Sequence, residues 1–125
     1  MESLIKHRDV KGVTFVGSTP VAKQIYKLAG EYGKRAIANG GAKNSVVVMP
    51  DADLNRSVPS IVSSFFGNAG QRCLAGANLV AVGKVHDELV SKVAGAASSL
   101  KVGNGLDKGV QMGPVVSGKS KERII

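Results

Sequence analysis

The chain has 125 residues, enough for one compact domain, and its 43% apolar and 21% charged content is ordinary for a globular protein. Its apolar runs are short, so no segment approaches the roughly 20 apolar residues that a membrane-spanning helix requires. The first ten residues lack the apolar core and cleavage site of a secretory signal. We therefore expect a cytoplasmic protein without a membrane partner, or a mitochondrial matrix protein in a eukaryote.

Cysteine and charge exclude further classes. A single cysteine, Cys73, cannot form an internal disulfide, and the absence of CxxC or HExxH spacing predicts no metal site. The net charge is +8, but the 17 Lys and Arg residues are dispersed without a basic run. The aromatic residues, 4% of the chain, are not interleaved with basic residues as a base-stacking surface requires. The pattern thus disfavours nucleic acid as a partner.

The first third of the chain predicts a strand, a helix and two further strands. Residues 13–16 indicate a buried strand, because a β-branched and aromatic run is closed by Gly17. A helix follows with Ser18 as its N-cap. Its apolar face, at helical spacing, comprises Val21, Ile25, Leu28, Ala29 and Tyr32. Strands are then expected at Arg35–Asn39 and at residues 46–49.

A second long helix should begin near Asp51 or Asp53, whose carboxylates suit a helix N-terminus. Its apolar face comprises Leu54, Val58, Ile61, Val62, Phe65 and Ala69. A turn at residues 70–73, a strand at residues 79–82, a third helix and a loop at residues 103–117 follow. That third helix has Val85, Leu89, Val93, Ala96 and Leu100 on its apolar face. The alternation of strands and helices predicts an α/β fold with a mainly parallel sheet.

Two glycine-containing segments are candidate ligand sites. Gly17 and Ser18 lie between a strand and a helix, where free backbone N–H groups and the helix dipole attract an anion. Gly40 and Gly41 permit an unusual backbone path that suits contact with a flat ligand. A capped turn needs the same residue types, so these features alone do not decide between a site and a plain turn.

Cys73 is the third candidate. It follows an apolar helix within a polar turn, and the positive charge of its neighbour Arg72 favours a thiolate. A lone cysteine can equally be a small buried hydrophobe. The residues by themselves leave a nucleophile and a core thiol both open.

Together, these segments resemble motifs of the aldehyde dehydrogenase superfamily in their order and approximate separation. Residues 15–19 resemble its FTGST cofactor motif, and residues 39–44 match its ELGGKS segment in position. Residues 66–73 are similar to the FxNxGQxC motif around the catalytic cysteine, which is the most specific part of the resemblance. Residues 113–117 resemble the later GPLIS segment.

The resemblance implies roles for the candidate residues within part of the aldehyde dehydrogenase fold. Cys73 would be the catalytic nucleophile. Gly17 and Ser18 would lie near the phosphates and ribose of NAD, and Gly40 and Gly41 near its nicotinamide end.

Two departures resemble the methylmalonate-semialdehyde dehydrogenase subfamily, which transfers its product to coenzyme A. Asn39 stands where hydrolytic members have the glutamate of ELGG, and an uncharged amide cannot act as a general base. Water attack on a thioester should therefore be slow, and the acyl group can wait for the thiol of coenzyme A. Arg72 would hold a substrate carboxylate by paired hydrogen bonds, although a plain surface arginine is the alternative.

The implied reaction is covalent oxidation of a semialdehyde. Cys73 attacks the aldehyde, a hydride passes to NAD, and the thioacyl enzyme is decarboxylated and transferred to coenzyme A. The competing interpretations are a non-catalytic basic α/β module that binds a nucleotide or nucleic acid, and an inactive remnant.

The resemblance also implies a domain organisation. It assigns residues 1–40 to the end of the NAD-binding domain and residues 41–125 to the start of the catalytic domain. Residues 120–125 open a helix that is too short to present a full apolar face, so we expect an internal fragment. The resemblance implies that the parent enzyme is a homo-oligomer. Each half would lack much of its core, and the isolated chain should be inactive and marginally stable.

Overall fold

The computed structural model describes all 125 residues, which divide into two compact units, Met1–Ala42 and Lys43–Ile125. Each unit contains one two-stranded parallel sheet crossed by a helix. The α/β class predicted from the sequence is therefore confirmed. None of the helices is long and apolar enough to cross a membrane.

The N-terminal unit is a βαβ unit preceded by a short helix. Its elements are α1 (Glu2–Lys6), β1 (Gly12–Val16), α2 (Thr19–Glu31) and β2 (Arg35–Asn39). The two strands pair in parallel, with Val16 opposite Asn39. Parallel strands cannot be joined by a hairpin, and α2 provides the crossover between them.

The buried face of α2 is rotated from the predicted one. Ala22, Ile25 and Ala29 are buried, whereas Val21 and Tyr32 are 37% and 44% exposed. The assignment of Val21 and Tyr32 to the buried face was therefore wrong. Alanines at this face allow the helix to approach the sheet closely, and hydropathy alone does not distinguish this choice from a face of larger side chains.

The sequence pattern did not predict α1, a helix of five residues. Its Ile5 is 1% exposed and packs in a small core with Ile25 and Ala29. Lys6 also forms an ion pair with Glu2, and its hydrogen bond, followed by its charge, lowers the pKa of that carboxyl. Both side chains of the pair are exposed, so burial of Ile5 is the main contribution that holds this helix.

β1 is less buried than its sequence predicts. Residues alternate between partly buried and exposed along both strands, and Val16 and Ile37 are each 62% exposed. Within this unit, helical cover reaches one face of the sheet only, which leaves these side chains on the open face.

The C-terminal unit contains a second βαβ unit and two further helices. Its elements are β3 (Asn44–Val48), α3 (Leu54–Phe66), β4 (Gly76–Ala81), α4 (His86–Ser98) and α5 (Gly118–Ile124). The core residues come from these elements and the turn before α4: Val48, Leu54, Val58, Ile61, Val62, Val85 and Leu89. The predicted apolar face of α4 is confirmed, and Leu89 is fully buried.

The end of this unit also follows the sequence-based expectation. Residues 103–117 form a loop, and an isolated bridge pairs Met112 within it with Val102, which directly precedes it. The helix expected at residues 120–125 is observed as α5, which begins slightly earlier. Its N-cap, Ser117, accepts a hydrogen bond from the N–H of Ser120.

The start of α3 is decided by a side-chain cap. Asp53 accepts hydrogen bonds from the N–H groups of Asn55 (2.9 Å) and Arg56 (3.3 Å), so Asp53 and not Asp51 is the N-cap. The helix ends at Phe66, and Ala69 therefore lies outside the helical face on which its spacing had put it.

The cap predicts a specific loss of stability. Replacing Asp53 with alanine removes both acceptor contacts and should lower the free energy of unfolding by about 1 kcal/mol, as measured by urea denaturation. Asp51→Ala is the matched control, because Asp51 makes no side-chain hydrogen bond to the helix, and it should change stability by less than about 0.5 kcal/mol. Equal losses in the two variants would contradict the assignment of the cap.

Candidate functional site

In the N-terminal unit, the structure brings the two glycine-containing segments together. The N–H of Gly17 donates to the main-chain oxygen of Asn39 (3.1 Å), and the N–H of Gly41 donates to Oγ1 of Thr19 (2.9 Å). Because β1 and β2 are parallel, both segments follow strand ends at the same edge of the sheet. Ligands of open α/β sheets bind at this carboxyl edge.

Close packing requires glycine at this edge. A Cβ on Gly40 would lie 2.7 Å from Oγ1 and 3.1 Å from Cα of Thr19, and one on Gly17 would lie 2.6 Å from Cζ of Phe15. Ser18 is the N-cap of α2 by backbone geometry, as predicted, but its side chain makes no capping hydrogen bond. The hydroxyl of Ser18 thus stays available at a helix N-terminus, where N–H groups lack intrahelical partners.

Asn39 is the last residue of β2 and is exposed at the same edge. Its main-chain oxygen accepts from Gly17, whereas its side-chain amide makes no hydrogen bond within the chain. The amide is therefore free to face a ligand, and it supplies no titrating group.

In the C-terminal unit, Cys73 lies on a turn between α3 and β4. The turn is closed by a hydrogen bond of 3.1 Å from the N–H of Ala75 to the main-chain oxygen of Arg72. Cys73 is exposed, which is inconsistent with a buried core thiol. A thiol presented on a short closed turn is accessible to an electrophile.

The chain reaches this turn through a left-handed segment. Asn68, Ala69 and Gly70 have φ angles of +54°, +52° and +70°. Positive φ is unfavourable for Ala69, and such strain is concentrated at functional sites in proteins. The sequence predicted a turn at residues 70–73 only, whereas the left-handed backbone begins two residues earlier, at Asn68.

Arg72 contacts the end of α3. Its Nη2 donates to the main-chain oxygens of Ser63 (2.5 Å) and Ser64 (3.2 Å). Arg72 and Leu74, the two chain neighbours of Cys73, also line an open cavity of about 470 Å³ together with serines of α3. One guanidinium nitrogen therefore caps a helix, while Nε and Nη1 make no hydrogen bond within the chain.

Two amide side chains that the sequence analysis did not assign also contact this region. Oε1 of Gln71 accepts from the N–H of Val116 (2.9 Å), and its Nε2 donates to the main-chain oxygen of Asn68 (3.0 Å). Nδ2 of Asn44 donates to the main-chain oxygens of Cys73 and Ala75. Both residues belong to segments singled out by motif, but contacts over 29 to 45 residues cannot be inferred from local spacing.

The model of the aldehyde dehydrogenase family matches residues 1–125. The chain belongs to the aldehyde dehydrogenase family.

Members of this family with a stated substrate are close in sequence. Malonate-semialdehyde dehydrogenase 2 from Geobacillus thermodenitrificans is 50% identical over 125 residues, which are all of this chain and 26% of that protein. Malonate-semialdehyde dehydrogenase 3 from Geobacillus kaustophilus is 52% identical over 122 residues, 98% of this chain and 25% of that protein. The chain therefore spans about a quarter of the length of these curated relatives.

Solved structures of the family agree with the architecture. Methylmalonate-semialdehyde dehydrogenase from Oceanimonas doudoroffii matches with a TM-score of 0.88 and 45% identity, covering 98% of this chain and 25% of that chain. A protein from Sinorhizobium meliloti 1021, described as a methylmalonate-semialdehyde dehydrogenase and crystallised with NAD, matches with a TM-score of 0.87, 40% identity and the same two coverages. The predicted aldehyde dehydrogenase fold is thus confirmed for this quarter.

The packing around Gly40 can be tested by substitution. Gly40→Ala should destabilise the chain by about 1–3 kcal/mol, because its Cβ would collide with the backbone and hydroxyl of Thr19. Gly30→Ala is the matched control in α2, where a Cβ meets nothing within 4 Å and the helix should gain roughly 0.5–1 kcal/mol. Urea unfolding of both variants measures the difference, and a stabilising Gly40→Ala would refute the close approach.

Proposed function

We propose that this chain is the part of a malonate- or methylmalonate-semialdehyde dehydrogenase that carries its nucleophile, Cys73. The observation that carries this proposal is the exposed cysteine on a closed turn, within a chain that is 50% identical to a malonate-semialdehyde dehydrogenase over its whole length. The proposed reaction oxidises a semialdehyde to an acyl-coenzyme A. In this assignment, residues 1–40 end the NAD-binding domain and residues 41–125 begin the catalytic domain.

The nucleophile acts through its thiolate. Its sulfur adds to the aldehyde carbon, and the carbonyl oxygen becomes the hydroxyl of a thiohemiacetal after it takes a proton. Oxidation of that carbon to a thioester requires loss of the hydroxyl proton and of a hydride, for which NAD would be the acceptor. The exposure of Cys73 supports this role, because the attacking sulfur must reach an aldehyde that enters from solvent.

Four residues of the N-terminal unit are proposed to bind NAD. Gly17 and Ser18 would contact the phosphates and ribose, and Gly40 and Gly41 the nicotinamide end. The support is physical: these residues meet at the carboxyl edge of a parallel sheet, next to a helix N-terminus that favours phosphate.

Arg72 is proposed to select a substrate that carries a carboxylate. One of its terminal nitrogens is held by two carbonyl oxygens at the end of α3, which fixes the plane of the guanidinium. Its remaining N–H groups can then donate to an anion, and Arg72 is adjacent to Cys73 in the chain. Loss of that carboxylate as carbon dioxide, with uptake of a proton at the α-carbon, would convert a malonyl thioester into an acetyl thioester.

Asn39 is proposed to direct the thioester to coenzyme A. Its amide cannot deprotonate water at neutral pH, whereas the thiol of coenzyme A ionises readily without help. The thiolate of coenzyme A would attack the thioester carbon and release the Cys73 thiolate. A homo-oligomeric parent enzyme is part of the same proposal.

The test uses a grafted enzyme, defined as Geobacillus thermodenitrificans malonate-semialdehyde dehydrogenase 2 with its matched quarter replaced by these 125 residues. We expect it to form NADH from malonate semialdehyde in the presence of coenzyme A. Cys73→Ser in this graft should lower the rate at least about 10³-fold while NAD affinity and melting temperature are retained. A folded graft that binds NAD but forms no NADH would falsify the proposal.

A second variant tests the role of position 39. In the grafted enzyme, Asn39→Glu should introduce a general base and raise NADH formation without coenzyme A by about tenfold or more. The side chain of Asn39 is exposed and makes no hydrogen bond, so the change should leave stability nearly unaltered. Asn39→Gln is the matched control, because it lengthens the side chain without adding a base. Equal rates without coenzyme A in both variants would argue against the proposal that residue 39 decides whether water or coenzyme A attacks the thioester.

A further inference from the structure

Asn44, a residue of β3, holds the backbone of the turn that contains Cys73, which spans residues 72–75. Its Nδ2 donates to the main-chain oxygens of Cys73 (2.8 Å) and Ala75 (2.9 Å). These carbonyls flank Leu74, whose side chain is 83% exposed at the tip. Both hydrogens of the amide are therefore used on a single stretch of three residues.

The strand ladder does not fix this turn by itself. Asn44 pairs with Gly76, whereas the next residue, Ser45, pairs with Asn78, so Ala77 is an extra residue on β4. Such a bulge interrupts the regular hydrogen bonding of a sheet and changes the direction of the strand. Because the interruption lies directly after the turn, the amide of Asn44 provides a connection that the ladder lacks.

The opposite side of the turn is held by α3. Arg72 donates to the end of this helix, and the N–H of Gly76 donates to Oγ of Ser64 (3.2 Å). Neither contact reaches the main chain of Cys73. Asn44 is the one side chain that hydrogen-bonds to the backbone of the nucleophile itself.

We propose that Asn44 is a positioning residue for Cys73, a role that rests on the proposed dehydrogenase function. By holding the carbonyl of Cys73, the amide fixes the backbone from which the sulfur is presented. An attack on a carbonyl requires the reacting atoms to approach to within roughly 3–3.5 Å in a defined direction. The amide contacts only the protein backbone, so it acts through the position of the sulfur and has no direct contact with substrate.

The experiment compares Asn44→Leu, which removes the donors but keeps a similar branched shape, with Asn44→Gln, which keeps an amide on a longer stem. Asn78→Leu is the matched control, since Asn78 is exposed on β4 and its side chain makes no hydrogen bond. Amide hydrogen exchange of Ala75 is measured on the 125-residue chain. The rapid first turnover of NADH, the KM for NAD and the melting temperature are measured on the grafted enzyme.

We expect Asn44→Leu to accelerate exchange at Ala75 by roughly tenfold, because the turn opens more often once its donors are lost. The first-turnover rate should fall about tenfold with the KM for NAD and the melting temperature unchanged. Asn44→Gln should recover part of the rate, and Asn78→Leu should alter none of these quantities.

Each departure from this result has a distinct meaning. An unchanged first-turnover rate in Asn44→Leu, whatever happens to exchange, would overturn the positioning role and leave the proposed function intact. A parallel loss of rate, NAD affinity and melting temperature would also overturn it, because it would show a general structural role. An unsubstituted graft that folds without forming NADH would overturn the proposed function, and the positioning role with it.

Discussion

The turn that presents Cys73 depends on how the end of α3 satisfies its backbone oxygens. The last carbonyl groups of a helix can lack intrahelical partners, and here Arg72 donates to two carbonyls of the last turn, Ser64 and Ser63, the second of which also accepts from the N–H of Gly67. For Arg72 to reach back to the helix, the chain must reverse sharply, which it does through three left-handed residues starting at Asn68. The backbone at Cys73 is thus held by the bonds of Arg72 to α3 and by the amide of Asn44, while the residue itself remains exposed.

The sequence predicted those parts of the fold that local chemistry determines. β2 has the predicted bounds, and Asp53 is one of the two predicted starts of α3, because strand propensity and helix capping act over a few residues. The prediction that Ala69 lies on the apolar face of α3 was wrong, because the helix ends at Phe66 and the backbone is left-handed at Ala69. Apolar spacing alone does not reveal this change. Helix α1 was missed for a related reason, since the core that buries Ile5 includes Ile25 and Ala29 of α2, which are distant in the sequence.

The candidate site was predictable in its residues but not in its contacts. Motif resemblance singled out Cys73 and the segment that contains Asn44, yet the hydrogen bond between them spans 29 residues. From the motif, Arg72 was interpreted as a ligand for the substrate. The structure shows in addition that Arg72 hydrogen-bonds to the end of α3, which its position in the motif did not reveal. A guanidinium has five N–H groups, so the structural contacts leave donors for an anion.

The two units differ in how much core supports them. In the N-terminal unit, three buried residues form the central cluster, and Val16 and Ile37 stay on an open sheet face. The C-terminal unit has a cluster of seven buried residues, although Val47 and Val80 of its sheet are also exposed. Parallel sheets in proteins are normally covered on both faces. With cover on one face, each unit forgoes part of the usual apolar burial, and the N-terminal unit should be the first to open.

At the carboxyl edge of the first sheet, some residues are constrained by packing and others are not. Packing favours glycine at position 40, where a Cβ would lie 2.7 Å from Oγ1 and 3.1 Å from Cα of Thr19, and at position 17 a Cβ would displace the ring of Phe15. Asn39 precedes Gly40 in the chain, and its main-chain oxygen accepts from the N–H of Gly17, but its side chain is exposed and makes no hydrogen bond within the chain. A larger or charged side chain would fit there without loss of a contact within the chain. The structure therefore gives no packing reason for an amide at position 39, which agrees with the proposal that Asn39 acts through the chemistry of its side chain.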